Sequence, residues 1–327
     1  MINRFSKYRN QLMGLMILWI MFFHVNMTVP SGLLTTVKAI GYGGVDGFLF
    51  LAGMGAYCSL RKNPSPLAYY RRRLGRLLPT YYPILALWLL FTIWTEQPQN
   101  VIGVIFGNIT GQAFWNLADI RFNWYIQSIW LFYGLAPLLV RLTDLPDRRY
   151  IRGIFLFFLL MNTAYFGRFT LIAISRLPIF IFGIYAGKLL CEGRSLPKGS
   201  ELLSWGCAVL GFLLLFFVRR NYPDTLWKYG MHWHPFLLII PGLFALLCHM
   251  FSFFSRNRYL NVLNSLLGRL GQCSFELYLV HVFFFEGLHR NSPKFLAAAI
   301  VIAFLYRFLI EKARTAYARL PRQQAES

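Results

Sequence analysis

The sequence predicts an all-α integral membrane protein of about ten transmembrane helices with both termini cytoplasmic, and three observations predict it. Charged residues make up 14% of the chain and hydrophobic residues 57%, whereas a soluble domain carries about 25% charged residues. Apolar runs of roughly 20 residues, the length a helix needs to cross a hydrocarbon core, recur along the chain. The Lys and Arg behind the net charge of +21 gather in short segments on alternate sides of those runs. That is the positive-inside asymmetry of a membrane protein, so the bilayer is an expected partner and nucleic acid is not.

The first run, Leu12–Val29, carries no Asp, Glu, Lys or Arg, and Arg4, Lys7 and Arg9 precede it. Its start therefore reads as the cytoplasmic end. It is too long for a signal peptide, and no small-residue cleavage site follows it. His24 lies about 22 Å along the helix from Arg9, toward the far face. Further spans are read at 44–61, 77–95, 122–140, 151–167, 170–190, 201–218, 235–254, 270–289 and 294–311, after a first at 10–28. Between the third and fourth, Val101–Ile109 is apolar but too short to cross, which predicts a re-entrant or interfacial piece. Residues 1–312 are expected to form the transmembrane domain and 313–327 a basic cytoplasmic tail. No soluble catalytic domain is expected, which leaves any chemistry to the membrane and its edges.

Ionisable groups inside spans need a partner or water, and they mark the candidate sites. Asp46 follows Gly41-Tyr42-Gly43-Gly44-Val45 at the start of the second span, near the depth of His24. It reads either as an acid favoured by the helix dipole or as a carboxylate that orients a histidine. Arg73 and Arg76 are three apart and share a helix face. Their run reads either as a topology signal or as a clamp for a phosphate-bearing donor, since guanidinium forks match phosphate oxygens. Trp124 and Tyr125 open the fourth span, where an interfacial aromatic belt is the bland alternative. Arg176 sits inside the sixth span, with Pro178 expected to loosen the helix beside it. Glu276 and His281 lie in the ninth span, five apart, and fit a structural polar network as well as they fit catalysis. The five cysteines form no CxxC pair and read as small hydrophobes, with neither a disulfide framework nor a metal site expected.

In order, the chain shows His24, then GVDGFLFLAG at Gly44–Gly53, then Arg73-Leu74-Gly75-Arg76-Leu77-Leu78-Pro79. Trp124-Tyr125 with Tyr133 and Pro137 follows, and last Gly271-x-x-Ser274-x-x-x-Tyr278-Leu279-x-His281. In these motifs and their spacing the chain resembles the acyltransferase family 3 membrane proteins, the multi-span O-acyltransferases of bacteria. Two positions depart from the family pattern. Met13 stands where Arg or Lys is usual, with Arg9 one turn earlier, and Ala52 replaces the Ser of a Ser-Gly pair.

The resemblance implies an inner-membrane enzyme that moves an acyl group, acetyl first among them, from acyl-CoA to a hydroxyl of a carbohydrate. It implies His24 as general base or acyl carrier, oriented by Asp46. Arg176, Tyr125 and Trp124 become candidates for oxyanion or acceptor contacts. Arg73, Arg76 and Arg9 become candidates for binding acyl-CoA, which is a substrate; no bound cofactor is expected. The competing readings are a transporter or flippase of a lipid-linked sugar and a non-catalytic relative. The absence of an inverted repeat in the sequence counts against the transporter.

Overall fold

The structure is a computed structural model that describes residues 1–30, 32–116, 118–160 and 168–319, and among these it is helical throughout with no strand. The chain enters through α1 (Ile2–Lys7) and α2 (Arg9–His24). It continues through α3 (Gly32–Ala39), α4 (Gly44–Lys62), α5 (Pro66–Glu96), α6 (Val101–Thr110) and α7 (Gln112–Trp115). Then come α8 (Trp124–Asp144), α9 (Arg149–Leu160), α10 (Arg168–Ile174), α11 (Leu177–Cys191), α12 (Ser200–Asn221) and α13 (Phe236–Arg256). It closes with α14 (Arg258–Gln272), α15 (Ser274–Val282) and α16 (Pro293–Arg319).

Among the described residues, seven helical segments are long and apolar enough to cross a membrane: Gly41–Lys62, Pro66–Glu96, Trp124–Asp144, Leu171–Cys191, Ser200–Asn221, Phe236–Arg256 and Pro293–Ala316. The other three expected spans fall on shorter helices. The first is the 16-residue α2. The fifth begins on the 12-residue α9, and its remainder lies outside the described residues. The ninth divides at Cys273 into α14 and α15 and then runs through a π turn at Phe283–Gly287. The short apolar piece predicted before the fourth span is α6. Asn108 on α6 is buried; it donates to the Ile120 carbonyl (3.1 Å) and accepts from the Phe122 amide (2.7 Å). This ties α6 to the start of α8.

Burial sorts the helices into a centre and a rim. On α4, residues Gly44–Met54 are buried without a break, the mark of a helix enclosed on all sides. By contrast α12 and α16 present Leu202, Leu213, Phe216, Ile302, Leu305 and Phe308 outward. A belt of exposed apolar side chains on long helices fits lipid contact.

Two helix pairs around this centre run parallel, and they position the site. α4 meets α11 at Asp46 and Arg176 near their N-terminal ends, and at Cys58 and Cys191, with Sγ atoms 2.8 Å apart, near their C-terminal ends. Between these, Gly183 lets the helices touch, since a Cβ there would stand 2.1 Å from the Phe50 carbonyl oxygen. α2 meets α14–α15 in the same way. A Cβ on Gly271 would stand 1.7 Å from the Asn10 oxygen, and one on Gly14 would stand 2.1 Å from the Leu267 oxygen. Small residues that let backbones approach this closely are a recurrent device of membrane helix packing. His24 is ten residues beyond Gly14, as His281 is beyond Gly271. Equal offsets on parallel helices, about 15 Å each, bring the two imidazoles together.

Candidate functional site

His24 ends α2, and its Nδ1 lies 3.1 Å from Nε2 of His281. The second ring nitrogen of His281 faces the Leu277 carbonyl at 3.3 Å. A carbonyl only accepts, so His281 carries its proton on Nδ1 and, when neutral, offers Nε2 as an acceptor. The donor in the pair is then Nδ1–H of His24, which leaves the lone pair of His24 on Nε2. Phe285 stacks on the His24 ring with centroids 4.6 Å apart. His24 is half-buried and His281 buried.

Asp46 was expected to orient His24, but the structure gives it another partner. Asp46 and Arg176 are 2% and 3% exposed, with Oδ1 and Nε 3.5 Å apart. The backbone explains how Arg176 arrives there. The helical segment is interrupted by a two-residue turn between α10 and α11, with Arg176 as N-cap and Pro178 in the first turn of α11, which is the loosening expected beside Pro178. The guanidinium lies over Trp124 (4.9 Å) and Trp233 (5.8 Å). Its Nε and Nη1, and Oδ2 of Asp46, are buried without a hydrogen-bond partner.

His24, Arg176 and Trp124 line one cavity of about 400 Å³, together with Tyr42, Arg219, Trp227, His232, Trp233 and Tyr278. The last turn of α12 supplies Arg219, and the 219–234 loop the indoles and His232. Tyr42 donates to the His232 carbonyl (2.6 Å) and accepts from Arg219 (3.5 Å). In the loop, burial holds His232 below the usual histidine range, and burial beside Arg176 pushes its neighbour His234 down to about 4. Both rings are therefore neutral near pH 7, and the cavity owes its positive charge to the two arginines.

A second cavity of about 310 Å³ lies toward the Arg9 end of α2. Arg9, Arg76, Arg307 and Arg314 line it, with Glu276 and Glu311 and an aromatic end formed by Phe48, Tyr125, Tyr133 and Tyr278. Arg314 is anchored by donating to the Arg76 carbonyl (2.7 Å), and Arg307 pairs with Glu311 (2.8 Å). Arg73 stands just behind. It donates to the Gly55 carbonyl (2.9 Å) and packs on the Tyr69 and Tyr133 rings. Arg9 shares that corner, since its Nη2 and that of Arg73 both lie 3.7 Å from where a Gly55 Cβ would sit. The two departures from the family pattern, Met13 and Ala52, also line this cavity.

Tyr278 borders both cavities. Its ring packs edge-on against Tyr125 with centroids 4.8 Å apart, and its hydroxyl lies 3.1 Å from Nδ2 of Asn123. Asn123 holds a left-handed backbone (φ 46°), which asparagine tolerates better than most residues, and its Oδ1 caps α8 by accepting from the Tyr125 and Ile126 amides. One residue therefore starts α8, sets Trp124 into the first cavity and Tyr125 into the second, and holds the tyrosine between them.

The structure thus gathers His24, Arg176 and Trp124 at one cavity, with His281 buried against His24, and Arg9, Arg76, Tyr125 and Glu276 at the other. Asp46 stands behind Arg176, and Arg73 behind Arg9. Sequence reasoning missed Arg307 and Arg314, which look like ordinary basic residues at the end of a last span. It also left out Tyr278, although that residue stands in the motif ending at His281.

The model of the acyltransferase 3 family, described as an acyltransferase domain, matches residues 10–310. No curated protein and no solved structure matches the chain.

Proposed function

The chain belongs to the acyltransferase 3 family, and from that premise we propose that it carries acetyl from cytosolic acetyl-CoA across a bacterial inner membrane to a carbohydrate hydroxyl. The family makes it a membrane acyltransferase in general terms; the donor, acceptor and sidedness are our reading. The observation that carries the reading is that an arginine-lined cavity and a histidine-lined cavity abut at Tyr278.

In this reading the arginine cavity faces the cytosol and takes the donor. Arg9, Arg76, Arg307 and Arg314 meet the CoA phosphates, with Arg9 in the place of the basic residue that Met13 lacks. The pantetheine arm runs toward Tyr125 and Tyr278 and presents the thioester at the aromatic wall. The acceptor enters the other cavity, where Nε2 of His24 removes the hydroxyl proton. The oxygen attacks the thioester carbonyl, the C–S bond breaks, and the proton on His24 neutralises the departing thiolate. Tyr125 is placed to donate a hydrogen bond to the developing oxyanion. Asp46 balances the charge of Arg176 in the bilayer, and His281 takes the orienting role.

The test is a pair of variants in cells that express the protein well. His24→Ala should lower acetyl transfer by about 10²–10⁴, the usual contribution of a general base, and strip the acetyl mass increment from surface glycans as deletion does. Arg76→Gln should raise KM for acetyl-CoA while leaving that for the acceptor unchanged. Normal glycan acetylation in His24→Ala cells would defeat the proposal. Loss of surface glycan itself, rather than of its acetyl groups, would favour a transporter.

A further inference from the structure

The histidine cavity has a charge that its own walls do not cancel. Among the described residues, two guanidinium groups line it and no carboxylate does. Asp46 reaches Arg176 from behind and through one oxygen, at 3.5 Å. Nη1 of Arg176 is left buried and unpartnered in a chamber that this side chain lines. Arg219 has only a long hydrogen bond to Tyr42 and no carboxylate partner among the described residues. An unsatisfied N–H of a charged group in a low-dielectric site is costly, and an occupant that brings acceptors and negative charge would offset that cost. The remaining walls indicate the scaffold that carries the charge. Trp124, Trp227 and Trp233 add three indoles to the lining, two of them with Arg176 over one face, and apolar indole surface matches the C–H face of a sugar ring while the hydroxyls turn to the polar edges.

We infer that the occupant of this cavity is an anionic sugar, a glycosyl unit whose carboxylate or phosphate is bound by Arg176 and Arg219. The inference rests on the transfer reading only in naming the occupant as the acceptor. The anion would fix the ring so that one particular hydroxyl faces His24, which turns a charge contact into selection of the acylated position. A neutral sugar fits the same indoles but leaves the charge uncompensated.

The purified full-length protein in detergent, with no acyl donor present, provides the test. Isothermal titration calorimetry compares methyl β-glucoside, methyl β-glucuronoside, glucose 6-phosphate and inorganic phosphate. Charge-assisted hydrogen bonds of about 1.5–3 kcal/mol correspond to roughly 10- to 150-fold in affinity. At least one anionic sugar should therefore bind about tenfold or more tightly than both the neutral glucoside and inorganic phosphate. The stronger of the two tells carboxylate from phosphate. Arg219→Gln should shrink the preference. Arg176→Gln combined with Asp46→Asn removes both buried charges together, leaves no orphan, and should abolish it. Equal binding of neutral and anionic sugars, or phosphate bound as tightly as the sugar phosphate, overturns the inference. A retained preference in both variants overturns it as well. Because no acyl donor is present, a preference for anionic sugars holds even if acyl transfer fails its own test. Transfer to a glycan without such a preference would leave the transferase and refute only this inference.

Discussion

When neutral, His281 accepts through Nε2 because the Leu277 carbonyl takes its one N–H, and that fixes which nitrogen of His24 is free to act. Replacing it with Leu removes the acceptor without adding charge. His281→Leu should lower kcat by about 10- to 100-fold, as loss of a group that orients a working side chain does, with KM for acetyl-CoA unchanged. In His281→Gln an amide oxygen can take the same hydrogen bond and should recover most of kcat. Steady-state kinetics in liposomes would check both, and a Gln variant no better than Leu would assign His281 to packing alone. At this scale the sequence marked candidate residues and hid how they pair. His24, Asp46 and Arg176 stood out because ionisable groups in an apolar span are costly. Their pairing depends on contacts across more than a hundred residues, such as the 257 that separate the two histidines. The five-residue spacing of Glu276 and His281 did carry information, since the helix sends Glu276 to the arginine cavity and His281 to His24.

Helix placement rests on where backbones touch. Gly271 allows α14 to meet α2, and ten residues later the histidines depend on that contact. Gly271→Ala would put a methyl group into the Asn10 carbonyl and should cost about 1–3 kcal/mol, the usual price of overpacking, seen as a lower unfolding temperature in detergent. Transfer should fall further than the stability loss explains, because the imidazoles separate. Gly206→Ala on α12, where nothing lies within 4 Å, is the control and should be neutral or slightly stabilising. Apolar length marked the seven long helices in the sequence. It did not reveal α14 as a helix ahead of the ninth expected span because α14 is amphipathic, with Tyr259, Val262, Leu263 and Leu266 exposed among polar residues. A hydropathy reading takes such a helix for a loop.

The parallel course of α4 and α11 bears on the topology of the whole molecule. α5 and α8 lie between them in sequence and both are long enough to cross. Two crossings alone would bring α11 back antiparallel to α4. Parallel packing requires an odd number of crossings between them, and among the described residues the 12-residue α9 is the helix that remains between α8 and α10. In a cysteine-free background, a single cysteine within 219–234 should react with an impermeant maleimide applied at the periplasmic face, and one within 62–70 should not. The reverse pattern would place the donor cavity outside and end the proposed route. The shared wall at Tyr278 has an electrical consequence as well. Each 100 mV of membrane potential is worth about 2.3 kcal/mol per elementary charge, so a wet channel through the protein would discharge the cell. On the proposed sidedness, two chambers that share an aromatic wall would admit water from both sides while leaving the voltage to drop across a thin insulating layer. On the proposed route the acetyl group passes this layer in one direction while the proton that His24 takes from the acceptor hydroxyl passes in the other to the departing thiolate, so no net charge crosses.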